Sequence, residues 1–469
     1  MSHDGLRAAL DAMRAAGVGD QAMAVFANHH AQLQSGISGT IPEDSIEPLV
    51  DVPDLGRVPA DDERRRAALA RTAVLKLNGG LGTSMGMSGP KSLVPVRDGL
   101  TFLDITIAQV RALRRRYDVN LPLLLMNSFS TGEATRAALS AYPDLAVRDL
   151  TLEILQNKEP KLTTDDLAPV SWPADPALEW CPPGHGDVYV SLLESGVLDQ
   201  LLDQGDEYLF LSNIDNLGAT ADPDIAAGMR AEQVPSVAEV CERTHNDRKG
   251  GHLAVRKSDR RLVLRDNAAV EPGELEFFQD TTLHTMFHTN NVWVGIAELH
   301  ARLTATGGVL GLPLIANHKT VDPTDRSSTP VIQIESAMGA AIEVFEGSRA
   351  LLIPRRRFLP VKTTNELLLL QSDLSEVNDD FELVATRETE APFVDLGPHY
   401  TAIADFADRF PRGAPSLRDC TMLRVRGDLT FGAGVRCVDD VDVVADLPSI
   451  VPDGVVLTGS GADVIEESR

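Results

Sequence analysis

Four short stretches of the chain are apolar almost without interruption: Val74–Leu77, Leu121–Met126, Tyr208–Leu211 and Val331–Ile334. Each breaks off into polar or glycine residues, at Asn78-Gly79, Asn127-Ser128, Asn213-Ile214-Asp215 and Glu335. Runs of this kind mark strands covered on both faces, as in a parallel sheet. Between the first two, Thr101-Phe102-Leu103-Asp104 has the form of a capping box, and Leu103, Ile107, Val110, Arg114 and Tyr117 share one helical face. The spacing predicts a helix ending near Tyr117 and hence a strand-helix-strand unit. Ser236–Glu242 and His252–Arg256 read as strands flanking the polar loop 246–251, Ser336–Ala340 as a helix start, and Thr363-Thr364-Asn365-Glu366 as the cap of a last helix over Leu367–Leu374. In open α/β sheets ligands sit beyond the carboxyl ends of the strands. That rule sets Gly79–Lys91, Asn127, Asp215 and Glu335 along one edge.

The two ends of the chain follow other periods. Leu6, Leu10, Met13, Met23, Phe26 and Leu33 recur at near-helical spacing broken by Gly17 and Gly19, which predicts a small helical prelude. A polar, Pro-bearing connection through Ile41–Asp44 and Val58–Asp62 leads to a short charged helix over Glu63–Arg71. Near the other end, Leu423, Leu429, Val435, Val441 and Leu447 recur every six residues, with Val425, Phe431, Cys437 and Val443 two positions behind. Simple alternation in a meander would not hold that register, so a parallel β-helix is expected. Three regions follow: a helical segment over residues 1–70, an α/β domain over 71–395 and a β-helix domain over 396–469.

Composition narrows the partners. At 469 residues the chain is long enough for two or three domains. Its four cysteines, Cys181, Cys241, Cys420 and Cys437, show no metal-ligand or CxxC spacing and read as reduced thiols. No apolar run approaches the ~20 residues of a membrane span, and Met-Ser-His-Asp-Gly is no secretory leader. A cytoplasmic protein is expected. The formal charge of −26 argues against nucleic acid or anionic membranes as partners. It leaves small anions possible, because charges beyond the Debye length of ~8 Å are largely screened.

Gly79-Gly80-Leu81-Gly82-Thr83-Ser84-Met85-Gly86 and Gly89-Pro90-Lys91 follow the first strand. Glycines let backbone N–H groups approach an anion, and a lysine supplies countercharge. The stretch nevertheless misses both common phosphate loops: Pro90 interrupts the Walker pattern, and Gly80, Gly82 and Gly86 give G-x-G-x-x-x-G. By itself it fits a phosphate cradle or a surface loop equally. Asp215 suits Mg²⁺, which takes few protein ligands besides substrate phosphates, or equally a turn. His185 stands between Gly184 and Gly186, where backbone can pass a flat ligand such as a base; an exposed loop histidine is the plainer reading. Asn290 and Asn291 could read hydroxyls. Arg355–Arg357 reads as a solvated basic face, with Lys362 placed to turn into a cleft.

Together these blocks closely resemble the UTP:glucose-1-phosphate uridylyltransferase family of the UDPGP type. Leu75–Ser92, Pro182–Tyr189, Ser212–Ala219, 249–251, Asn290–Trp293, Val331–Ile342 and Arg357–Thr364 occur in the family's order. The resemblance implies a Rossmann-like nucleotidyltransferase core with a mixed sheet and a C-terminal left-handed parallel β-helix. It implies UTP bound along Gly79, Gly80, Leu81 and Gly82, with uracil near Met126, Gln156 and Gly184. Glucose 1-phosphate would lie near His185, Asn213, Lys249, Asn291 and Glu335. Lys91, Lys362 and Asp215 would serve catalysis, Asp215 holding Mg²⁺, and the products would be UDP-glucose and pyrophosphate.

The chain also departs from that pattern. Cys181 stands where the family usually has an aromatic before Pro-Pro, and Val321–Pro330 is divergent, which leaves the role of Lys319 open. The oligomer of eukaryotic members does not carry over, so a monomer or a small homo-oligomer is expected. Another sugar 1-phosphate, or nucleotide-sugar binding without catalysis, remains an alternative reading.

Overall fold

Strand Thr72–Asn78 is buried at every residue and lies inside a ten-stranded mixed sheet. The computed structural model describes residues 3–37, 39–54, 61–244, 247–248, 250–459 and 466–467. Across the sheet the order is Ile46–Pro48, His252–Arg256, Met286–Gly295, Tyr208–Asn213, Thr72–Asn78, Leu123–Asn127, Glu153–Leu155. The last four run parallel, and Met286–Gly295 lies antiparallel to Tyr208–Asn213. Ser236–Glu242 pairs antiparallel with Met286–Gly295 and parallel with Arg349–Leu352.

The apolar runs are continuous because each face of the sheet has its own core. Leu75, Leu77, Leu124, Met126, Leu209 and Leu211 pack on one side with helices Val188–Glu194, Val197–Asp203 and Ile296–Ala305. Val74, Leu123, Leu125, Tyr208 and Phe210 point the other way, against helices Asp62–Leu69, Phe102–Tyr117 and Pro223–Glu232. Both expected capping boxes form, at Thr101 with Asp104 and at Thr363 with Glu366; the second starts a helix over Thr364–Gln371, a turn earlier than expected.

One strand belongs elsewhere. Pro330–Glu335 lies between Ile315–Thr320 and Leu162–Thr163 in a separate antiparallel sheet, so Glu335 is not on the edge of the main sheet. The prelude explains that sheet: helices His3–Ala15 and Asp20–Gln34 cover it with Ala9, Met13, Met23 and Phe26 against Leu162, Ile332 and Ile334. After it, Ser336–Ala340 does not open an α-helix; a 3₁₀ stretch runs over Met338–Glu343.

The C-terminal strands stack in parallel. Leu423 and Val425 lie beside Val441 and Val443, and Leu429 and Phe431 beside Ser449 and Val451. Leu423, Leu429, Val435, Val441, Val425, Phe431, Cys437 and Val443 are all buried, but Leu447 is 58% exposed. Two extra residues lie between Val443 and Ser449 compared with the span from Val425 to Leu429, which pushes Leu447 out at a widened corner. This stack shares a core with Leu217, Val361 and Leu367. Among the described residues no helix is long and apolar enough to cross a membrane. Lys249, Asn246 and the connection at Val58–Ala60 lie outside the described residues.

Candidate active site

At the end of Thr72–Asn78 the chain folds over itself. Leu81 bridges Pro90, Lys91 N–H reaches the Gly80 carbonyl at 3.3 Å, and a 3₁₀ turn at Thr83–Met85 ends on Gly86 with φ +66°. Proline thus sits where the strand-like pairing needs no N–H. The N–H groups of Gly80 and Leu81 donate to no other described residue, and a Cβ on Gly80 would meet only open space. Gly79 is tighter: a Cβ there would fall 2.8 Å from Gln156 Oε1. The loop therefore offers free donors over an open floor, which is what an anion requires.

Lys91 turns inward. Its Nζ donates to Asp215 Oδ2 at 2.8 Å and to the Val361 carbonyl at 2.5 Å. Asp215 lies in the loop that leaves Tyr208–Asn213, and its Oδ1 is buried with no partner. Ser84 Oγ donates to the Lys362 carbonyl at 2.7 Å, which brings the glycine loop against the 357–362 segment. The Lys362 side chain is exposed. Lys91, Asp215 and the backbone of Lys362 thus meet at one point.

The second half of the cleft is built around Gly184. Gln156 Nε2 donates to its carbonyl at 2.7 Å. With φ +77°, Gly184 runs so close to the small sheet that a Cβ would stand 2.5 Å from the Ser336 carbonyl oxygen and 3.0 Å from Glu335 Cβ. This approach returns Glu335 to the site from a different sheet. Met338 N–H donates to His185 Nδ1 at 2.9 Å, and burial holds the imidazole below its usual pKa. The ring is then neutral, with its proton on Nε2. Lys319, whose role was open, reaches Gln333 Oε1 at 3.0 Å and stands 3.6 Å from Glu335. Cys181 is buried opposite Glu159, beneath this turn.

Two expected residues do not open into the cleft. Met126 is 1% exposed and packs with Leu77 and Leu124. Asn291 is fully buried; it donates to Glu239 at 3.0 Å and accepts from Asn216 at 3.2 Å. Asn290 takes the open position instead, with φ +58° and its amide 3.0 Å from Asn213 Oδ1. The cause is a bulge: Ala238 pairs with Val292 but Val240 with His288, so three residues oppose Glu239.

Of the basic run, Arg355 and Arg356 are exposed, as a solvated face requires, but Arg357 is not. Arg357 is buried and donates through Nε and Nη2 to Glu239, which is 0% exposed and also takes Trp293 Nε1 at 2.9 Å. Arg355 forms a two-point pair with Asp247. Glu239 was detectable as a lone carboxylate inside Ser-Val-Ala-Glu-Val-Cys, since buried charges demand partners.

Lys76 is a second buried charge that sequence reasoning missed. It is 2% exposed, on the sheet face of Val74, and Nζ donates to Ser212 Oγ at 2.8 Å and the Ala219 carbonyl at 2.5 Å. Burial, with Arg357 assisting and Glu239 and Asp215 opposing, pushes its ammonium down to about 7 from an ordinary 10.5. Between those values the unfolded chain holds a proton that the folded chain has released, so this lysine makes stability rise with pH across the window. Its stabilisation is lost as pH falls through about 7. Lys76→Met is expected to flatten that rise in urea unfolding measured from pH 7 to 10; an unchanged slope would contradict it.

A family model described as UTP--glucose-1-phosphate uridylyltransferase matches residues 23–437. A Hordeum vulgare protein named UTP--glucose-1-phosphate uridylyltransferase is 38% identical over 416 residues, 88% of this chain and 85% of the relative. The crystal structure of a UDP-glucose phosphorylase from Trypanosoma brucei superposes with a TM-score of 0.90 at 44% identity, covering 97% of this chain and 99% of that one. A variant UDP-glucose pyrophosphorylase from Leishmania major in complex with UDP-glucose gives 0.92 at 40% identity, covering 98% and 100%.

Proposed function

This chain belongs to the UTP–glucose-1-phosphate uridylyltransferase family, and from that premise we propose that it transfers the uridylyl group of UTP to glucose 1-phosphate, giving UDP-glucose and pyrophosphate. The observation that carries the reading is the meeting of Lys91 and Asp215 between the glycine loop and the 357–362 segment. A phosphate oxygen of glucose 1-phosphate attacks the α-phosphorus of UTP; the new O–P bond forms as the bond to the bridging oxygen breaks, and that electron pair leaves with pyrophosphate. With a second pKa near ~6 the nucleophile is already anionic at neutral pH. No general base is needed, and the work is alignment and charge neutralisation.

Each group has a task in that scheme. The N–H groups of Gly80 and Leu81 donate to the triphosphate, with Gly79 and Gly82 keeping the loop clear of side chains. Gln156 and Gly184 border the base. Lys91 and Lys362 offset the repulsion between the two anions. Asn213, Asn290 and Glu335 hold sugar hydroxyls, and His185 donates from Nε2. Lys249 is assigned to the sugar phosphate by family resemblance alone.

The unpartnered, buried Oδ1 of Asp215 fits a cation. Among the described residues no three acidic, histidine or cysteine side chains group around a metal. That donor set suits Mg²⁺, which takes one or two carboxylates and completes its shell with phosphates and water. When bound there, Mg²⁺ would supply positive charge beside the α-phosphate. The remaining parts of the proposal are a left-handed turn for the C-terminal parallel stack, boundaries near residues 70 and 395, a cytoplasmic setting, and a monomer or small homo-oligomer.

The deciding measurement is pyrophosphate release from UTP with a panel of sugar 1-phosphates, with and without Mg²⁺. Turnover of about 1–10³ s⁻¹ that requires both glucose 1-phosphate and the metal is expected. A faster reaction with another sugar would change the substrate, and UTP binding without release would make the chain a binding protein.

A further inference from the structure

Asp215 and Lys362 stand on segments far apart in sequence, and the residue that joins those segments is Asn216. Its side chain is 2% exposed and uses every polar function. Nδ2 donates to the Arg357 carbonyl and to Asn291 Oδ1, both at 3.2 Å, and Oδ1 accepts the Leu359 N–H at 2.8 Å. The backbone adds a bridge from Asn216 to Pro360. Two residues on, a Cβ at Gly218 would fall 2.4 Å from the Arg356 carbonyl, so the two strands of chain lie in contact throughout.

We propose that Asn216 is a positioning residue that sets Lys362 relative to Asp215, and through it the sugar phosphate relative to the α-phosphorus. The inference rests on the roles given above to Lys362 and Asp215. The glycine loop also ties the segment, where Lys91 takes the Val361 carbonyl and Ser84 the Lys362 carbonyl. Those hold it to the UTP half of the cleft. From the stretch that follows Asp215, the Thr220 carbonyl and Asp222 hold the Arg357 guanidinium, while the main chain at Arg357 and Leu359, nearer Lys362, is held by the amide of Asn216. Alanine at 216 would leave the Leu359 N–H and the Arg357 carbonyl short of partners in a buried place, and the segment could settle elsewhere. The base half, built from Gln156 and Gly184, makes no contact with Asn216 and should be indifferent.

The test is steady-state kinetics of Asn216→Ala, Lys362→Ala and the double variant, with UTP affinity read separately by calorimetric titration. For Asn216→Ala the expected result is a rise of about 10–100-fold in KM for glucose 1-phosphate, or an equal fall in kcat, as for residues that orient a ligand through another group. UTP affinity should stay within about twofold, and the double variant should be little worse than Lys362→Ala, because coupled residues are not additive. Should alanine unfold the chain, Asn216→Asp keeps the shape and the acceptor for Leu359 and takes the same measurements. Fully additive losses, or an equal weakening of UTP, would overturn the proposal. Lys362→Ala with unchanged glucose 1-phosphate kinetics would overturn it together with the role of Lys362, whereas an effect of Lys362→Ala without one of Asn216→Ala overturns the positioning role alone.

Discussion

Asp215→Ala is expected to lower kcat by about 10²–10³-fold, the loss typical when one preorganised electrostatic group is removed from a reacting phosphate or carbonyl. Asp215→Asn should lose as much, since its shape is kept and only the charge goes. The fold should survive both. The pair with Lys91 has both side chains 16% exposed, and Lys91 keeps the Val361 carbonyl after the carboxylate is lost. Pairs at this depth contribute little to stability compared with fully desolvated ones. Pyrophosphate release read beside a thermal melt separates the outcomes: full turnover in either variant would remove Asp215 from the chemistry, and a collapsed melt would make its role structural.

Glu239→Ala is expected to do the reverse, costing about 3–5 kcal/mol of stability, because it breaks a buried ion pair by deleting one partner. The carboxylate receives four donors, two from Arg357 and one each from Asn291 and Trp293. Its removal strands a guanidinium that is itself buried beside Thr220 and Asp222. Urea unfolding would measure the loss, and a change under 1 kcal/mol would show that Arg357 finds water or another acceptor. A variant with both Glu239→Gln and Arg357→Met should recover part of the loss, since replacing both members of a buried pair is tolerated better than removing one.

These two residues mark what sequence could and could not reveal. Features set by neighbours along the chain were legible: the apolar runs, the capping boxes at Thr101 and Thr363, and most of the six-residue period. Lys91 stood out as the lysine of the glycine stretch, and the structure turns it toward Asp215. What failed depends on single residues that break a period or on partners more than a hundred positions away. The bulge sets three residues opposite Glu239, two more than a regular ladder, and leaves Asn291 buried with Asn290 in the open position; alternation along the sequence does not reveal such an insertion. The two surplus residues before Ser449 did the same to Leu447. Glu335 was assigned to the edge of the main sheet because a short apolar run does not say which sheet it joins, or in which direction. Met126 was placed beside the base by family resemblance alone, and its side chain packs in the core with Leu77 and Leu124. Lys76 and Glu239 lie inside apolar strands, and their partners Ser212, Ala219 and Arg357 come from elsewhere in the chain.

The sheet order also says when such a site can exist during synthesis. Thr72–Asn78 is made early, but its neighbour Tyr208–Asn213 emerges more than a hundred residues later, and Met286–Gly295 later again. The carbonyls that receive Lys91 and Ser84 come last of all, at Val361 and Lys362. Before Tyr208–Asn213 is made, Thr72–Asn78 has Leu123–Asn127 on one side and an unpaired edge on the other, the state in which long-range α/β topologies are slow and prone to associate. A nascent chain paused between residues 352 and 361 would therefore hold every strand of the main sheet and still lack the carbonyl that receives Lys91.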